Sequence, residues 1–63
     1  MKITLRAARH NKKLLQTDLA KACGVSRKTI GAWESGISMP TPDKIDTLCR
    51  VLGVSYDDIK WKP

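Results

Sequence analysis

Two helical patterns abut in the stretch QTDLAKACGVSRKTIGAWE, from Gln16 to Glu34, and Cys23-Gly24-Val25-Ser26 between them leaves room only for a tight turn. Gly24 tolerates the positive φ that ends a helix abruptly, and Ser26 supplies a side-chain oxygen that starts the next one. The chain must therefore make a helix, a sharp turn and a second helix. Leu19, Ala20, Cys23, Val25, Ile30 and Trp33 recur at spacings that turn both helices toward one core, which leaves Arg27, Lys28, Gly31 and Ala32 facing outward. That outward face is small in the middle and positive at its N-terminal end, as suits a helix entering a DNA groove.

Charge points the same way. The net charge of the 63-residue chain is +6, and it is unevenly spread. Residues 1–28 carry eight Lys or Arg against Asp18 alone, whereas residues 29–63 carry four against five acids. A basic half beside a nearly neutral half suggests one face for a polyanion and another for the fold or a partner, and nucleic acid fits best. A chain this short makes one domain, spanning 1–63, with little room for a deep substrate cavity. His10, Asp18 and the two cysteines do not converge by spacing, and there is no glycine-rich phosphate loop, so an enzyme is not expected.

Cys23 and Cys49 sit at apolar positions of expected helices, without a Cys-x-x-Cys spacing and with one His in the chain. They read as small buried hydrophobes in a reducing compartment, and no metal, cofactor or small-molecule ligand is expected. No apolar run approaches the roughly 20 residues that span a bilayer, and the start MKITLRAARH is too charged for a signal peptide. A soluble, cytoplasmic protein is expected.

Along the chain, Thr4 caps a first helix that carries Leu5 and Ala8 inward and ends near Asn11 to Lys13. Leu14 returns the chain to the core, the second helix covers about 16–23 with Asp18 in its first turn, and the third covers about 27–34. The free amides at the start of the second helix, with Gln16, form a seat for a phosphate. Ser35-Gly36 ends the third helix. Thr41-Pro42-Asp43 starts a fourth with Ile45, Leu48, Cys49 and Leu52 on one face, and Gly53 stops it. Ser55-x-x-Asp58 resembles a capping box, so a short fifth helix with Tyr56 and Ile59 on its inner side is expected.

These residues resemble the Cro and lambda-repressor-like helix-turn-helix proteins, also called the xenobiotic-response-element type. The pattern is Leu14-x-Gln16-x-x-Leu19-Ala20, Gly24-Val25-Ser26-Arg27-x-Thr29-Ile30, Trp33-Glu34-x-Gly36, Pro40 and Gly53-Val54-Ser55, covering nearly the whole chain. The resemblance implies an all-α, compact five-helix domain, with the helix-turn-helix at helices two and three. It also implies double-stranded DNA as partner, usually bound by a homodimer on a two-fold operator with half-sites about 34–36 Å apart. Carried over by position, Arg27, Lys28 and Ala32 become base-reading residues: Arg27 or Lys28 pairs with guanine, and Ala32 offers a methyl contact to thymine. Gln16, Ser26, Thr29, Ser35, Gly36 and Ser38 become phosphate or backbone contacts, and Arg9 and Glu34 a structural ion pair between the first helix and the end of the third. Leu15 stands where a Ser or Thr cap is common, Lys13 where Gly is frequent, and Ile37 where a basic residue is common, which would leave phosphate binding in that loop to backbone amides.

The function implied by this resemblance is a sequence-specific transcriptional regulator, a repressor acting by occupancy, its small size suiting a phage origin. The alternative is a protein-interaction module, such as an antitoxin or antirepressor. It would use Val51, Tyr56, Ile59 and Trp61, residues that would otherwise serve a dimer face. Arg27, Lys28 and Gln16 together at helix N-termini favour the DNA reader.

Overall fold

The computed structural model describes residues 2–62. Among these, four α-helices are framed by two short strands: β1 (Ile3–Thr4), α1 (Leu5–Asn11), α2 (Gln16–Cys23), α3 (Arg27–Ser35), α4 (Pro42–Leu52), a 3-10 turn at Tyr56–Asp58 and β2 (Ile59–Lys60). The helix limits follow the local chemistry. Thr4 Oγ1 accepts from Ala7 N at 3.0 Å to cap α1, and Ser26 Oγ accepts from Thr29 N at 3.2 Å to cap α3. Gly24 ends α2 in the left-handed region at φ 68°, so that Val25 N turns back to Ala20 O at 3.0 Å. Thr41 precedes α4, but its hydroxyl donates to the Asp43 carboxylate instead of accepting from the backbone.

Leu15 flanks α2 without any side-chain acceptor. Half of a capping arrangement survives: the Asp18 carboxylate accepts from Leu15 N at 2.7 Å. Lys13 adopts φ 57°, the left-handed conformation that the family resemblance implies at this position, at a cost on the order of 1 kcal/mol.

The core joins Leu5 and Ala8 of α1, Leu19, Ala20 and Cys23 of α2, Ile30 and Trp33 of α3, and Leu48 and Leu52 of α4 to Ile59 of β2. Leu19, Ile30, Leu48, Leu52 and Ile59 are the largest side chains fully withdrawn from solvent, each contributing about 1.5–3 kcal/mol of apolar transfer. Lys44 of α4 reaches across to donate to Cys23 O at 2.7 Å, placing a cation at the carbonyl end of α2. Burial pushes the Cys23 thiol above its usual range, with Lys44 opposing.

The expected fifth helix does not form. The Asp58 carboxylate accepts from Ser55 N at 2.9 Å and from Ser55 Oγ at 3.0 Å, and the turn between them holds only Tyr56, Asp57 and Asp58. Ile59 then leaves in an extended conformation, φ −106° and ψ 133°. It pairs in parallel with Ile3, as Lys60 does with Thr4. The spacing of Tyr56 and Ile59 imitated a helical face, yet Ile59 is 1% exposed while Tyr56 is 53% exposed. Ile59 is therefore a core residue and not part of a partner surface. No described helix is long and apolar enough to cross a membrane.

Candidate nucleic-acid interface

The short turn at Gly24 sets α2 and α3 against each other so that the N-terminal ends of both open on one side. There they meet α1 in a concave notch of about 660 Å³, lined by residues of all three helices. Its floor is the ion pair expected between Arg9 and Glu34. Arg9 Nε lies 2.6 Å from Glu34 Oε2, and the two side chains are only 8% and 5% exposed. Arg9 Nη2 approaches Glu34 Oε1 at 3.3 Å, and Arg9 Nη1 donates to Leu14 O at 2.9 Å. Burial alone would raise the Glu34 pKa. Hydrogen bonds from Arg9 and Gln16, with the charges of Arg9 and Arg6, outweigh it and hold the carboxyl below its ordinary range.

Gln16 stands over this pair. Its Nε2 donates to Glu34 Oε1 at 2.9 Å, and its Oε1 accepts from Arg27 Nη1 at 3.4 Å. Three residues expected on sequence grounds at separate tasks are thus physically connected. Arg27 and Lys28 are exposed at the start of α3, with Ala32 one turn on and half-buried. Gly31 lies beside Gln16, where an added Cβ would sit 3.9 Å from Gln16 Nε2, an ordinary contact.

Ser26 and Thr29 lie together at the α3 start, their hydroxyl oxygens 3.0 Å apart. Ser35, Gly36 and Ser38 are exposed at its far end. The loop amides there are turned inward: Gly36 N bonds to Trp33 O, while Ile37 N and Ser38 N bond to Ala32 O. Ser35 Oγ donates to Gly31 O at 2.8 Å, so an anion beside this loop would meet the Ser38 hydroxyl rather than the backbone donors expected from sequence. Ile37 itself is 82% exposed.

Arg6, His10 and Thr17 also line the notch. The sequence carries a signal for this grouping: Arg6 and His10 stand four apart, on the side of α1 that carries Arg9. Outside the notch lining, Tyr56 and Trp61 stack with centroids 5.8 Å apart, and Trp61 Nε1 donates to Tyr56 O at 3.1 Å. Val51 and Tyr56 are exposed there, and Trp61 is half-buried. Among the described residues no group of three or more His, Cys, Asp or Glu is placed to hold a metal.

Comparison with known proteins agrees with this architecture. A helix-turn-helix family profile matches residues 5–59. The chain is 33% identical over 55 residues to the antitoxin PezA of Streptococcus pneumoniae, an alignment that covers 87% of this chain and 35% of that protein. The chain thus spans about a third of the length of this relative. The family match marks a non-catalytic regulatory domain built around a DNA-binding module. The chain belongs to the helix-turn-helix family of the Cro and lambda-repressor type.

Proposed function

We propose that this chain is a regulatory module of antitoxin type that reads duplex DNA with α3 and engages a protein partner through a different face. The observation that carries the DNA role is the convergence of Arg27, Gln16 and the buried Arg9–Glu34 pair at the mouth of a cationic notch. Arg27 and Lys28 would read base edges with Ala32 beside them, and the start of α2 with Gln16 would take a phosphate. Ser26, Thr29, Ser35, Gly36 and Ser38 would border the flanking backbone. The body measures 29 × 22 × 19 Å, less than the roughly 34–36 Å between half-sites, so a two-fold operator would need two copies.

The similarity to an antitoxin favours the protein-interaction role over a free-standing repressor. Val51, Tyr56 and Trp61 form the surface proposed for it, since they lie outside the notch. A reducing cytoplasm suits the two free thiols.

Selection from a random duplex pool at two salt concentrations tests the DNA role. A symmetric motif is expected, with a log–log salt slope of about −0.9 per neutralised phosphate. Failure to recover a motif, with weak binding unmoved by Arg27→Ala and Lys28→Ala, would sink it. Photo-crosslinkers at Val51 and Tyr56 test the partner surface in cells, where an adduct with a second protein is expected. Self-adducts alone would assign that face to a homodimer.

A further inference from the structure

We propose that Glu34 is a positioning residue for base readout, aiming the Arg27 guanidinium through Gln16; this role rests on the DNA-reading function above. The carboxylate is the fixed end of the chain of contacts. It is 5% exposed and gripped side-on by Arg9, whose remaining nitrogen is tied to Leu14 O at 2.9 Å. Glu34 Oε1 also takes a hydrogen bond from Gln16 Nε2 at 2.9 Å.

That bond dictates which way the Gln16 amide faces. Turned over, the amide would set its oxygen against the Glu34 carboxylate and its NH2 against the Arg27 guanidinium, two repulsive contacts in place of two attractive ones. The carboxylate therefore forces Gln16 Oε1 toward Arg27, where it stands 3.4 Å from Nη1. Nε2 carries two hydrogens, so one remains for a phosphate while the other stays on Glu34. An exposed arginine left alone samples many rotamers, and holding it near its working direction before DNA arrives reduces the freedom lost on binding.

A purely structural Glu34 would tie α1 to α3 and do no more. The two roles separate in how single bases are discriminated. Glu34→Asp keeps the negative charge against Arg9 but withdraws it by one methylene from Gln16. Gln16→Met leaves the buried pair intact and removes the amide. Binding of each variant and of the double variant is measured on the selected duplex and on its single-base changes, with chemical denaturation recording the fold.

Each single variant is expected to lose about tenfold of guanine discrimination at the base read by Arg27, within the range of one lost arginine–guanine pair. Discrimination at other positions should hold, and the double variant should lose no more than the larger single effect. Unchanged discrimination in a folded variant would overturn the role, even where overall affinity falls. Should Glu34→Asp fail to fold, Gln16→Met and the Arg27 side-chain Nε resonance decide: an unmoved resonance overturns the contact. A wild type that selects no motif overturns the DNA function and this role together, whereas a selecting wild type with unmoved variants overturns this role alone.

Discussion

Arg9 of α1 and Glu34 of α3 are 25 residues apart in sequence, yet their side chains meet at 2.6 Å with less than a tenth of either surface exposed. Removing one partner strands the other charge in a site that water barely reaches. Arg9→Ala and Glu34→Ala should each cost about 3–5 kcal/mol, against a total of roughly 3–9 kcal/mol for a domain of this size. Either variant is then expected to be largely unfolded at 37 °C in a thermal melt. The apolar pair Arg9→Met with Glu34→Leu should restore a cooperative transition, and its absence would show that the ion pair is needed for more than charge balance.

The same pair shapes the acid limb of stability. Glu34 titrates below its ordinary 4.5 in the folded chain, so the stability it supplies is complete above about 4.5 and is lost as pH falls through the folded value. Asp43, bonded by Thr41, and Asp58, bonded by Ser55, are likewise held below 3.8 and act in a lower window. The thermal midpoint should therefore begin to fall near pH 4.5 and fall further below 3.8. In the apolar pair Arg9→Met with Glu34→Leu, which lacks the Glu34 carboxylate without stranding Arg9, the upper part of this decline should vanish while the lower part persists; an unchanged profile would remove Glu34 as its source.

Packing at the C-terminal strand yields a contrast between neighbours. Ile59 fills the core at 1% exposure, and Tyr56 lies 53% exposed. Ile59→Ala should lower the unfolding free energy by about 2–5 kcal/mol, whereas Tyr56→Ala, which loses chiefly its stack on Trp61, should cost about 0.5–1.5 kcal/mol. Urea denaturation of both variants checks the order. A larger loss for Tyr56→Ala would mean that the segment is helical in solution, with Tyr56 facing inward.

Local rules explain which of these features could be read in advance. The Gly24 turn and the Thr4 and Ser26 caps each depend on a few adjacent residues, and each is found where expected, whereas the left-handed Lys13 followed only from the family resemblance. The Arg9–Glu34 contact was legible through the register of the family pattern, since nothing local to either residue announces it. Ile59 misled because its strand partner, Ile3, lies at the other end of the chain, while its spacing from Tyr56 imitated one helical turn. The bridge from Glu34 through Gln16 to Arg27 was illegible for a further reason. It depends on how closely α2 and α3 approach, and no periodicity encodes that distance.

Leu15 offers the last test, because its N-cap position on α2 carries an apolar side chain that is 65% exposed. The Asp18 carboxylate already completes one direction of the capping box by accepting from Leu15 N at 2.7 Å. A serine hydroxyl would complete the other by accepting from Asp18 N, whose present partner is the nearby Leu15 O at 3.0 Å. Leu15→Ser should stabilise the fold by about 1 kcal/mol, raising the thermal midpoint by roughly 4–8 °C in a domain of this size. Leu15→Ala, which removes the same exposed surface without adding an acceptor, is the control. Equal midpoints for the two variants would show that the cap contributes nothing at this position.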